Sequence, residues 1–122
     1  MRNNELVNLS KTFAVDIINL CNSIREQKKG NILVNQLLKS GTSIGANIHE
    51  ANYASGRNDF INKLHISLKE CYETEYWLEI FKNTSMITIP QFNALISQCY
   101  KLRRILSASV NTAKMNSNKE QE

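Results

Sequence analysis

Proline and glycine are scarce here, one and four in 122 residues. A chain this short with so few turn residues leaves no room for a many-turned β architecture and suits long regular elements. Cysteine is present but unpaired in pattern. Cys21, Cys71 and Cys99 form no C-x-x-C and make an odd count, so neither a disulfide framework nor a zinc knuckle is indicated. Each lies among apolar residues at helical spacing, which reads as a small buried hydrophobe of a reducing compartment. No hydrophobic signal region follows Met1, and no apolar run approaches membrane-spanning length. The expectation is a cytoplasmic protein with no membrane partner. Acidic residues are missing altogether between Pro90 and Lys114.

What is present is helical periodicity, four times over. With 42% hydrophobic residues, the chain has the size of one domain with one packed core. The first segment, about Glu5 to Gln27, places Leu6, Leu9, Phe13, Ile17, Leu20 and Ile24 on one helix face. Asn3 or Asn4 can cap its start, and Gly30 can take the left-handed stop. Asn31 offers the cap of a second segment ending near Ala54, with a stripe of Leu33, Leu37, Ser40, Ile44, Asn47 and Ala51. Ser55-Gly56-Arg57-Asn58 reads as a turn with a new cap.

The third segment, roughly Asp59 to Asn83, carries Phe60, Leu64, Leu68, Cys71, Tyr72, Leu78 and Phe81. The fourth opens on a capping box, Thr88 with Gln91, and Pro90 is tolerated in a first turn. Phe92, Leu95, Cys99, Leu102, Leu106, Ser109 and Ala113 follow at heptad-like spacing. Short connections make neighbouring helices antiparallel. The sequence therefore predicts an all-α, up-down-up-down four-helix bundle over 1–114, with a polar, frayed tail over 115–122.

The chemical motifs fail on required residues. A di-iron bundle needs Glu-x-x-His, but Ala46 precedes His49 and Asn62 precedes His65 at that spacing. His49-Glu50 begins like a zinc-protease helix, yet Tyr53 stands where the second His belongs. Ser40-Gly41-Thr42-Ser43 has no Gly-Lys pair and so is no phosphate loop. No activated nucleophile is recognisable, so no enzyme activity, cofactor or metal is expected. Gly41-x-x-x-Gly45 remains. Each mid-helix glycine costs around 1 kcal/mol against alanine, so the pair predicts close backbone packing, within the bundle or on a second subunit. Asn47 would need a partner if buried and could fix register or assembly.

Charge is segregated. The net charge is +4. The acid-free fourth segment holds Lys101, Arg103 and Arg104, and Lys28, Lys29 and Lys39 form a second basic cluster. Glu70, Glu73, Glu75 and Glu79 lie together on the third segment. Such segregation fits phosphate contact, acidic-to-basic docking between subunits, or a plain solvated surface.

The block Gln36-Leu37-Leu38-Lys39-Ser40-Gly41-Thr42-Ser43-Ile44-Gly45-Ala46-Asn47-Ile48-His49-Glu50-Ala51 carries a resemblance. Asp59-Phe60-Ile61-x-Lys63-Leu64 and Leu68-Lys69-Glu70-Cys71-x-Glu73-Thr74-x-Tyr76-Trp77-Leu78 continue it. The chain resembles the bacterial "four helix bundle protein" family, found as reading frames within intervening sequences of large-subunit rRNA genes. Some members carry a ribosomal-protein label for that reason. The resemblance implies a bundle that assembles into a homopentameric ring. It also implies kinship with the accessory protein of diversity-generating retroelements, which binds nucleic acid and partners a reverse transcriptase.

Two functions are expected. One is an oligomer holding RNA or DNA backbone without sequence specificity, through Lys101, Arg103, Arg104, Lys28, Lys29 and Lys39. The other is a scaffold docking a protein partner such as a reverse transcriptase, through Tyr76, Trp77 and the acidic helix.

Overall fold

The computed structural model describes residues 4–29 and 32–121. It consists of four helices: α1 (Asn4–Glu26), α2 (Ile32–Ala51), α3 (Arg57–Asn83) and α4 (Ile89–Gln121). Each packs on its chain neighbours, and α4 returns to α1, so the helices ring a common core in sequence order. The α2–α3 join is the most extensive and the α1–α4 join the leanest. This is the all-α up-down bundle that the periodicity predicts.

The apolar stripes on α1 and α4 bury as expected except at Leu9 and Ser109, which are half-buried. Phe13, Ile17 and Cys21 meet Leu102, Leu106 and Cys99 in one core. On α2 the buried face is shifted. Val34 and Ile48 are buried where the sequence pattern favours Leu33 and Asn47, which are half-buried. The small residues Ser40 and Gly41 dilute the apolar signal there, so two neighbouring stripes fit the period almost equally well. On α3, Ser67 and Thr74 complete the buried face, whereas Tyr72 is exposed.

Burying those hydroxyls is tolerable because each finds a partner. The Ser67 hydroxyl donates to Ile44 O at 2.8 Å, joining α3 to α2. The Thr74 hydroxyl lies 3.1 Å from Ser40 Oγ and 2.7 Å from Glu70 O. Gly41 and Gly45 pack against α1. A Cβ at Gly41 would stand 2.9 Å from Cγ1 and Cγ2 of Ile17, and one at Gly45 would stand 3.3 Å from Ser10 O. The small-residue pair thus serves an intramolecular contact. Asn47 satisfies its amide locally, donating to Ser43 O at 2.8 Å.

The turns differ from the sequence expectation at one informative point. Gly30 and Asn31, like Asn3, lie outside the described residues. The left-handed stop of α1 is Lys28, with φ of 59°. Lys28 N–H donates to Arg25 O and Lys29 N–H to Ile24 O, which together form a Schellman closure. Ser85, φ 58°, closes α3 the same way, with Met86 N–H donating to Phe81 O at 2.9 Å.

Helix α3 starts earlier than expected. Gly56 sits at its N-cap without a side-chain cap, and Asp59 reaches back to Ser55 N–H at 3.1 Å. The α4 capping box is formed as predicted. Thr88 N–H donates to Gln91 Oε1 at 2.8 Å, and Gln91 N–H to Thr88 Oγ1 at 3.2 Å. At the other end α4 remains helical to Gln121, past Ala113, the last of its described side chains to be buried. The polar stretch therefore continues the helix instead of leaving it, since nothing in it breaks a helix.

Candidate nucleic-acid interface

Antiparallel packing of α4 on α3 decides what each basic side chain can do. The buried stripe Leu95, Cys99, Leu102, Leu106 fixes the rotation of α4. Lys101 and Arg104 then project outward and are exposed. Arg103 falls on the seam with α3 instead, and is half-buried. Its Nε lies 3.0 Å from Glu75 Oε2. Its guanidinium carbon lies 5.1 Å from the ring centroids of both Tyr72 and Tyr100. A hydrogen bond with the Tyr72 hydroxyl raises its pKa further, with Glu75 adding to the effect against burial. Arg103 is thus engaged by its own bundle.

Glu75 is the other half of this seam. Burial pushes its carboxyl above the ordinary value, against the pull of Arg103 and with a further push from Glu79. On the opposite flank of α3, burial and then Glu73 push Glu70 up, while Lys39 of α2 and Lys69 pull it down. The acidic helix is therefore split, with one carboxylate turned to α4 and another to α2.

The second basic cluster is dispersed by the fold. Lys28 and Lys29 are exposed in the α1–α2 turn. Lys39 is exposed on α2, which lies diagonally across the bundle from α4. Lys39 and the pair Lys101 and Arg104 therefore occupy opposite sides of one chain. Of the two aromatic candidates, Tyr76 is exposed. Trp77 is half-buried, its Nε1–H donating to Glu73 Oε2 at 3.2 Å and its ring packing near Phe81.

Two features escape the sequence reading. Tyr72 and Tyr100 flank Arg103, a pairing across two helices that no single-helix period reveals. A groove of about 720 Å³ opens between the α2–α3 corner and the C-terminal half of α4, with Phe60, Ile105, Ala108 and Ala113 in its lining. Its sequence signal is the small side chains on both walls, Ala51 and Ala54 on one and Ala108, Ser109 and Ala113 on the other. Among the described residues, no three His, Cys, Asp or Glu side chains group as a metal site. The thiols are buried and free. Burial pushes Cys21 up to about 11, and a hydrogen bond with Cys99 followed by burial raises Cys71. No helix among the described residues is long and apolar enough to cross a membrane.

Fold and surface together define a small antiparallel four-helix bundle with an outward basic helix. Residues 2–108 match the family model of the 23S rRNA-intervening sequence protein. The chain belongs to that family. A crystal structure of a Bacteroides thetaiotaomicron protein of unknown function, from the S23 ribosomal protein family, is similar at 43% identity. The match covers 86% of this chain and 97% of that one, with a TM-score of 0.84. No curated protein matches the chain.

Proposed function

We propose that this protein is a non-catalytic, cytoplasmic oligomeric module that holds RNA or DNA backbone without reading sequence. The observation that carries the proposal is the outward face of α4, where Lys101 and Arg104 are exposed on a helix with no acid between Pro90 and Lys114. Long cationic side chains on such a face neutralise phosphates and release counterions, which is the sequence-independent part of nucleic-acid binding. Arg103, engaged by Glu75, positions this face more than it contacts phosphate. Lys28, Lys29 and Lys39 supply phosphate contacts elsewhere on the surface.

Assembly resolves the modest charge of one chain. A ring, pentameric in the family's image, would repeat the α4 face about five times and raise the local field and avidity accordingly. Analytical ultracentrifugation tests this directly, and a monomer at micromolar concentration would remove the ring from the proposal.

The binding test is a fluorescence-anisotropy titration of labelled structured RNA and duplex DNA across ~50 to 200 mM salt. Saturable binding that weakens steeply with salt is expected. Replacing Lys101 and Arg104 together by Ala should lower the affinity and flatten the salt slope by roughly one unit per lost contact. Unchanged affinity in that double variant would reject the α4 assignment.

A second reading, a scaffold for a protein partner such as a reverse transcriptase, is favoured by the exposure of Tyr76 beside the acidic helix. Retention of a polymerase on the immobilised protein after nuclease treatment, with loss on Tyr76→Ala, would support it over the first.

A further inference from the structure

The seam between α3 and α4 and the outer face of α3 beside it carry tyrosine side chains that phosphate contact alone leaves unused. Tyr72 is 52% exposed and Tyr76 is 55% exposed, one turn apart on α3. Tyr100 faces Tyr72 from α4, half-buried, with the Arg103 guanidinium carbon 5.1 Å from both ring centroids, whereas Tyr76 packs edge-on against Trp77 with centroids 5.0 Å apart. Exposed rings held from behind, Tyr72 by a cation and Tyr76 by the edge of Trp77, form a preorganised surface. They lose little conformational freedom when a flat group lands on them.

The charge around the rings is asymmetric. Beyond Arg103, α4 presents exposed Arg104 and Lys114 and no acid. Of the nearby carboxylates, Glu75 is paired with Arg103, exposed Glu73 accepts from Trp77 Nε1–H, and Glu70 lies on the flank of α3 turned toward Lys39. Glu79 stands one turn beyond Tyr76 and marks the end at which a polyanion would leave this surface. Planar rings beside cations are the two components of sequence-tolerant recognition of single strands, because every unpaired base has a π-face and every nucleotide a phosphate. A duplex offers only the second component, its bases being stacked on one another already.

We infer that the exposed surface along the α3–α4 seam binds single-stranded nucleic acid, stacking unpaired bases on Tyr72 and Tyr76 while Arg104, and Lys114 about 15 Å further along α4, hold phosphates of the same strand. The inference rests on the nucleic-acid reading above and narrows it to unpaired strands. Arg103 acts as a positioning residue, keeping the ring of Tyr72 in place.

The test compares three labelled ligands of equal length in anisotropy titrations: an oligothymidine of ~12 nucleotides, its abasic counterpart and a duplex. The intact protein should bind oligothymidine more tightly than either of the others. Tyr72→Ala and Tyr76→Ala should each weaken oligothymidine binding about 5- to 100-fold. Abasic binding and the salt slope should not change, because the cations remain. Tyr72→Phe and Tyr76→Phe, which keep the ring, should retain the affinity, and circular dichroism checks that every variant is folded. Equal affinity for oligothymidine and the abasic strand would overturn stacking and leave the backbone reading standing. Absence of binding to all three would overturn both. An equal loss on all three ligands in the alanine variants would show that the tyrosines support the surface instead of receiving bases, and would also overturn the inference.

Discussion

Gly41 and Gly45 look alike in the sequence, but their surroundings give opposite expectations. Alanine at either position gains about 1 kcal/mol of helix propensity. At Gly41 the new methyl would meet two branches of Ile17 at 2.9 Å, and a β-branched side chain in a buried helix cannot rotate away. Overpacking of that kind costs about 1–3 kcal/mol. Gly41→Ala should therefore destabilise the bundle, by up to about 2 kcal/mol in urea denaturation. Gly45→Ala, whose contacts begin at 3.3 Å, should stay close to neutral. Equal effects at the two sites would contradict the packing described.

Glu75 gives a pH signature of its own. Its carboxyl is raised above 4.5, chiefly by burial, so the folded chain binds this proton more tightly than the unfolded one. The stability it contributes is then fully present below pH 4.5 and lost as pH rises through the raised value. Glu75→Gln should match the parent at low pH and exceed it toward neutrality in a pH series of thermal melts. A variant that instead falls behind as pH rises would mean that the Arg103 pairing outweighs burial.

At the scale of the elements, what could be read from the sequence depended on how each helix announces itself. The α4 start was legible because Thr88, Pro90 and Gln91 are a local code, complete within one turn. The stops of α1 and α3 were not, because the left-handed residues there are Lys28 and Ser85, and neither type signals that conformation. They adopt it because the Schellman hydrogen bonds satisfy the last carbonyls and return the chain to the core at Met86 and Ile87. A non-glycine residue in this conformation carries about 1–2 kcal/mol of steric cost. Ser85→Gly should recover part of it, about 0.5–1 kcal/mol, and raise the midpoint in urea. The buried hydroxyls of Ser67 and Thr74 were missed for a related reason. Apolar counting cannot see a polar residue that the neighbouring helix satisfies.

Taken whole, the chain is an uneven arrangement of charge on an even scaffold. The sequence showed that basic residues cluster; only the ring order of the helices shows that Lys39 and the α4 pair lie on opposite sides. The Arg103 seam was equally invisible, since it needs the register of α4 on α3. The candidate interface was thus half legible: Lys101 and Arg104 could be placed outward by period alone, whereas Tyr72 was assigned to the core. The scaffold itself ends, for packing purposes, at Ala113. Removing residues 115–122 should change stability by less than about 1 kcal/mol, as measured by denaturation, because no described side chain beyond Ala113 is buried.

The lean join between α1 and α4 has a mechanical meaning. Three joins link helices adjacent along the chain, while this fourth one closes the first helix onto the last, tied by Gln98 Nε2–H donating to Asp16 Oδ2 at 3.2 Å. The molecule is in effect a row of four cylinders rolled up and fastened along one lap. A tube built this way is expected to yield first at the lap under strain, with α1 lifting from α4 while it stays seated on α2. Partial opening would then present the inner faces of the first and last helices together, as one continuous apolar strip.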